Sequence, residues 1–220
     1  MVVNSVSDSK LIDRKAADSC WNKNPDLRSD FLDSDTELIE YERVLHREFA
    51  QHNPNNWLCR NYLNIDSDRY RSKIPYSSQR IYGIYEGSQL ISAMAVNFDT
   101  SHKMQLEAVG FSLNKEAIDC KYGEALNFFI CQHKHYHSFE TIRKLRKAVV
   151  ADLETKDISF LLSTCSYNVL HLYTRFGWSI VNKKIISNKI KYLIMLKIEP
   201  DIESRLLSSM VDENKKSQPL

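Results

Sequence analysis

At 220 residues and 25.7 kDa the chain is long enough to bury one core and short for two. Thirty basic residues against 28 acidic ones leave a formal charge of +2, too little to argue for nucleic acid. With 43% hydrophobic and 26% charged residues it reads as soluble and globular, and no apolar run approaches the roughly 20 residues that span a bilayer.

Residues 1–33 are polar and weakly patterned, and are expected to form a flexible arm. Ser34-Asp-Thr-Glu37 is a capping box. Leu38, Tyr41, Leu45 and Phe49 follow at helical spacing, predicting an amphipathic helix over 35–51. From His52 to Ser78 prolines, asparagines and paired serines predict irregular chain. Strands are predicted over 80–85 and 89–98, as a hairpin around Glu86-Gly87-Ser88, and over 104–113. The near-continuous apolar run 124–132 reads as a strand buried on both faces. A second amphipathic helix is predicted over 138–154, with Ile142, Leu145, Val149 and Leu153 on one side and Arg143, Lys144, Arg146 and Lys147 on the other. The last elements are a strand at 158–165, a helix at 167–176 stopped by Gly177, and strands at 178–186 and 191–198. After Pro200 the chain is polar, and a tail is expected over 201–220. The whole reads as one α/β domain, 34–200, in which helices flank a mixed, mostly antiparallel sheet.

The N-terminus has neither a basic start nor an apolar h-region, so no signal peptide is expected. The cysteines Cys20, Cys59, Cys120, Cys131 and Cys165 are odd in number and lack a C-x-x-C pair. A reduced cytoplasmic setting follows. His133, His135 and His137 alternate and would share one face of a strand. Three ligands from one strand seldom converge tetrahedrally, so no metal is expected there.

The segment Asn168-Val-Leu-His-Leu-Tyr173-Thr-Arg-Phe-Gly177-Trp178, between a strand and a hairpin, resembles the N-x-x-A-x-x-L-Y-x-x-x-G-F signature of GNAT-type N-acyltransferases. That resemblance implies a GNAT-like fold, with Tyr173 at the position of its general acid and assigned to the substrate site. The family's glycine-rich pyrophosphate loop would fall on Lys134–Arg143, which has no glycine, so close approach of a phosphate to the backbone is obstructed.

One branch of the fold lacks that loop, the acyl-homoserine lactone (autoinducer) synthases with the related N-acyl amino acid synthases. The first half resembles them through Arg47, Phe49, Trp57 and Asp66-Ser-Asp68-Arg-Tyr70, and Gly123-Glu124-Ala-Leu-Asn127-Phe128-Phe129-Ile130 is similar to their W-E-x-S-R-F-x-V strand. The family's last acidic residue falls on Arg71, its hairpin arginine near Ala95, and the arginine after Glu124 on Asn127. The resemblance implies synthesis of an N-acyl-homoserine lactone from S-adenosylmethionine and an acyl thioester of carrier protein or coenzyme A. Both are substrates, and no cofactor is implied. Glu124 is then the base that frees the amine, Asp68 joins it in catalysis, and Asp66 adds charge complementary to the sulfonium and ammonium. Arg47, Phe49 and Trp57 border the substrates, and Arg143, Lys144, Arg146 and Lys147 would meet an acidic carrier. Two rivals remain: an N-acyl amino acid synthase or other GNAT acyltransferase, and a non-catalytic GNAT-like binding domain.

Overall fold

The computed structural model describes residues 26–50, 62–101, 104–131, 138–186 and 188–198. A seven-stranded sheet runs in the order β1-β4-β5-β6-β7-β9-β8. Its strands are β1 (Leu27–Phe31), β4 (Gln79–Glu86), β5 (Gln89–Asn97), β6 (Tyr122–Ile130), β7 (Phe160–Ser166), β8 (Ser179–Ile186) and β9 (Lys189–Lys197). A separate hairpin pairs β2 (Leu63–Asp66) with β3 (Arg69–Arg71). Every neighbouring pair in the large sheet is antiparallel except β6 and β7.

Helix α1 (Asp35–Leu45) is capped as its sequence requires: the Glu37 N–H donates to Ser34 Oγ and the Ser34 N–H to Glu37 Oε2. Past Leu45 it widens into a π-helical turn, His46–Ala50. α3 (Ser138–Thr155) and α4 (Tyr167–Phe176) cover one face of the sheet. Ile142, Leu145, Val149 and Leu153 of α3 meet Tyr82, Met94, Phe128 and Ile194 there. The other face divides in two. α1 packs Tyr41, Val44 and Leu45 against Leu90, Ala93 and Phe129, while Met104, Leu106 and Phe111 pack against Phe160, Leu162 and Met195.

Strands β4 to β9, the hairpin at β4–β5 and the three long helices are those the sequence predicts. Three expectations are corrected. Residues 104–113 are not a strand; they hold the short helix α2 (Gln105–Val109), closed by Gly110 at φ 109°. Leu106 and Val109 bury at i and i+3, a spacing that the alternation Met104-Leu106-Ala108 conceals. Residues 27–31 leave the expected arm and pair with β4, from Leu27↔Glu86 to Phe31↔Tyr82. Only Leu27 of that strand is buried, which is why no apolar pattern marks it. The irregular stretch holds the β2–β3 hairpin. The tail at 201–220, residues 1–25, Trp57 and the three alternating histidines lie outside the described residues.

Candidate active site

β6 and β7 stay in register only from Tyr122↔Phe160 to Glu124↔Leu162, although both strands run further. Beyond that pair a side chain takes over from the ladder, and the Ser163 hydroxyl donates to the Ala125 carbonyl at 2.8 Å. On the other edge a bulge sets Ala95↔Asn127 beside Val96↔Ala125. The parallel pair thus parts immediately after Glu124. Gly123 permits the tight packing beneath it, since a Cβ there would sit 2.9 Å from Leu161 Cδ2 and 3.2 Å from the Asn97 carbonyl oxygen.

Glu124 is 1% exposed. Its carboxylate receives the N–H of Leu106 at 2.6 Å and of Gln105 at 2.9 Å, from the first turn of α2. Burial pushes its pKa up to about 7, opposed by those two N–H groups and raised a little further by the charge of Glu107. A carboxylate half-ionised near neutrality can take a proton from an ammonium and give it up again.

A buried polar chain leads away from this acid. Gln105 Nε2 donates to the Leu126 carbonyl at 3.2 Å, and the Tyr62 hydroxyl lies 3.0 Å from Gln105 Oε1 and 2.8 Å from the Asn127 amide. The far side of that amide is 3.1 Å from the Tyr41 hydroxyl. Tyr62 has one proton for two amide oxygens, and turning the Asn127 amide over resolves the conflict. Tyr41 then donates to Asn127, Asn127 to Tyr62, Tyr62 to Gln105, and Gln105 to the strand. Burial raises the pKa of both tyrosines, so both hold their protons.

A second buried acid, Glu42 of α1, is fully enclosed. Arg69 Nη2 donates to it at 2.6 Å and the Tyr76 hydroxyl at 2.8 Å, with Arg71 Nε as a third donor. Burial alone would raise its pKa, but Arg71, Arg69 and Tyr76 together hold it below the usual carboxylate value. Sequence reasoning missed Glu42, although Leu38, Tyr41, Glu42 and Leu45 lie at i, i+3, i+4 and i+7, which puts an acid inside the apolar stripe. Arg69 and Arg71, at i and i+2 of one strand, are the matching signal. Gln105, Tyr41 and Tyr62 were missed as well, and nothing local marks them.

The other expected residues are dispersed. Asp66 pairs with Arg69 at 3.0 Å and Asp68 with Arg43 at 3.2 Å, both more than half exposed on the hairpin. Neither aspartate shares a described hydrogen-bond or ion-pair partner with Glu124. Arg47 and Phe49 do reach the far end of β6. Arg47 contacts Cys131 Sγ at 3.4 Å and Glu48 at 3.1 Å, while Phe49 stands edge-on to Phe129. Tyr173 lies edge-on to Phe128 and Trp178 in the core under α4, and burial raises its pKa. Of the basic residues on α3, Arg143 pairs with Glu140, Lys144 donates to the Leu27 carbonyl, and Lys147 is exposed. Arg146 packs over Gly177, whose φ of 104° suits only glycine and whose Cβ would meet Arg146 Nε at 3.1 Å.

A seven-stranded, mostly antiparallel mixed sheet with helices on both faces is a GNAT-like fold, the fold also of solved acyl-homoserine lactone synthases. The AHL synthase LasI superposes with a TM-score of 0.59 at 14% identity, over 84% of this chain and 96% of that one. The N-acyl amino acid synthase FeeM, from uncultured soil microbes, gives 0.58 at 13% identity over 84% and 97%. The CoA-dependent acyl-homoserine lactone synthase BjaI, in a complex with SAM and isopentyl-CoA, gives 0.56 at 14% identity over 79% and 82%. No protein-family model and no curated protein matches the sequence.

Proposed function

We propose that this chain is an N-acyltransferase in which Glu124 deprotonates an amine that attacks an acyl thioester, and that the acceptor is S-adenosylmethionine. The observation that carries the reading is the single buried carboxylate at the fork of β6 and β7, held by backbone N–H groups with its pKa near 7. The amine nitrogen forms a bond to the thioester carbonyl carbon, its proton passes to Glu124, and the carbon–sulfur bond breaks to release the thiol. The methionyl carboxylate then attacks its own γ-carbon, closing the lactone and expelling methylthioadenosine. N–H groups freed where the strands part would meet the developing oxyanion. The acyl group would come from a carrier protein or coenzyme A, and the exposed Arg143, Arg146 and Lys147 would meet an acidic carrier.

A specific observation favours a second acceptor. Asp66 and Asp68 already face Arg69 and Arg43 of this chain, which leaves less negative charge for a sulfonium and suits an amino acid, as in an N-acyl amino acid synthase. Both acceptors are tested by incubating the protein with acyl-carrier protein or acyl-CoA and each acceptor in turn, and weighing the products. An N-acyl lactone is the expected product. N-acyl amino acid alone would transfer the assignment to the second reading, and no acylated product from any pair would leave a binding domain.

A further inference from the structure

Between Ile158 and Ile198 the chain carries six basic residues, Arg175, Lys183, Lys184, Lys189, Lys191 and Lys197, and no acidic one. The rest of the chain is therefore net acidic, and the charge is polarised toward one end of the sheet. That end is the β8–β9 hairpin, with β8 as the edge strand.

The same hairpin exposes aliphatic side chains. Ile185 is 77% exposed, Ile180 50% and Ile190 47%. Ile185 and Ile190 are register partners, Ile180 pairs with Ile194 of the core beneath α3 and α4, and Lys183 pairs with Tyr192. Ile180, Lys183, Ile185 and Ile190 therefore share the helix-covered face, at the margin that α4, packed on β7 and β9, leaves open. Tyr167, 70% exposed, follows Ser166, the register partner of Lys191, and so extends the Ile185–Ile190 row onto the start of α4. Lys183 stands exposed on that face, while Lys189, the register partner of Ile186, stands exposed at the hairpin tip on the opposite face.

We propose that this margin of the sheet docks on an anionic lipid bilayer, with Ile180, Ile185, Ile190 and Tyr167 entering the headgroup boundary and Lys183 beside them meeting lipid phosphate. Isolated exposed apolar residues need no explanation, but a row of them that shares its face with the cation of Lys183, on a hairpin whose charged residues are all basic, matches an interfacial surface. Two-fold pairing of this margin with itself in a second copy would bring like charges together. Nucleic acid would satisfy the lysines and leave the isoleucines with no apolar partner. The lysines within the strand, with the bulge between Ile180 and Asn182, also oppose edge-to-edge pairing of β8.

The test is co-sedimentation of the full chain with vesicles of phosphatidylcholine, with and without phosphatidylglycerol. Binding is expected only where the anionic lipid is present, weakening as salt rises. Lys183→Gln should weaken partition about fivefold, and Lys189→Gln, on the opposite face, should weaken it less. Ile185→Ser combined with Ile190→Ser should weaken it about tenfold or more with only a small fall in Tm, because Ile185 is 77% and Ile190 47% exposed. Failure to sediment with anionic vesicles overturns the proposal. So does undiminished binding of the isoleucine double variant, or binding to an acidic carrier protein through these residues without binding to vesicles.

Discussion

Two buried carboxylates, 0% and 1% exposed, stand on neighbouring elements of this molecule and are treated in opposite ways. Glu42 is enclosed by two guanidinium groups and a phenol, and its pKa is lowered. Glu124 has two backbone N–H groups and no cation among its described hydrogen-bond partners, and its pKa is raised. Burial penalises the ionised form in both, so the partners decide the outcome. Full charge compensation makes Glu42 a fastener between α1 and the β2–β3 hairpin. Partial compensation leaves Glu124 able to change protonation near neutral pH, as a base must. The two are joined through the chain, since Glu42 follows Tyr41, whose hydroxyl ends the amide relay that runs back to Gln105.

The largest expected effect is at the fastener. Glu42→Ala leaves Arg69 and Arg71 facing each other without their acid, at a cost of about 3–5 kcal/mol, toward the lower end because Arg71 is partly exposed. Denaturant or thermal unfolding measures it. A loss below about 1 kcal/mol would show that the cluster is a surface ion pair and would dissolve the contrast.

Next is the pH dependence of stability, where the two acids should act in opposite directions. Glu124 binds its proton more tightly folded than unfolded, at about 7 against 4.5, so the stabilisation it gives is full below 4.5 and lost as pH rises through 7. The loss approaches about 3 kcal/mol, to order of magnitude. The contribution of Glu42 is present above 4.5 and lost as pH falls through its lower folded value. Stability should therefore peak in mildly acidic solution. In a titration of unfolding free energy, Glu124→Gln should flatten the alkaline limb alone and Glu42→Gln the acid limb alone. An unchanged alkaline limb in Glu124→Gln would place the folded pKa near its ordinary value.

Turnover comes third. Glu124→Gln keeps the shape and one acceptor oxygen but removes the base, and activity at saturating donor and acceptor should fall about 10²-fold or more, equivalent to about 2.7 kcal/mol. Glu42→Gln should change kcat far less than it changes Tm. Equal activity losses in the two variants would mean that both act through the fold.

Much of the architecture was readable because period and punctuation agreed. The capping box before Leu38, Gly177 after Phe176, and the hairpin around Gly87 each mark a boundary that the structure keeps. The elements that escaped are those whose burial is one-sided or borrowed. β1 hides only Leu27, β2 hides nothing, and α2 is a five-residue helix whose first N–H groups are held by Glu124, 18 positions away from Leu106. The site was legible in part for the same reason. An acid opening an apolar strand stands out in sequence, whereas the groups that set its behaviour, Gln105, Leu106 and Glu107 of α2 and Asn97 at the end of β5, are brought to it only by the fold. The aspartates Asp66 and Asp68 looked like a pair, yet Arg69 and Arg43 take them up individually at the surface.

The smallest expected effect concerns that last point. Asp68 and Arg43 are 56% and 59% exposed, so Asp68→Asn should change stability by less than about 1 kcal/mol. If the acceptor is cationic, removing this charge weakens attraction in ground and transition state alike, so KM for S-adenosylmethionine should rise at most about fivefold with kcat unchanged. Steady-state kinetics with S-adenosylmethionine and with an uncharged-side-chain amino acid separate the cases. A rise in KM confined to the sulfonium substrate keeps Asp68 as a weak electrostatic guide, set apart from both buried acids by its exposure. A fall in kcat would instead put Asp68 at the reacting atoms, and the hairpin would then have to close over Glu124 during turnover.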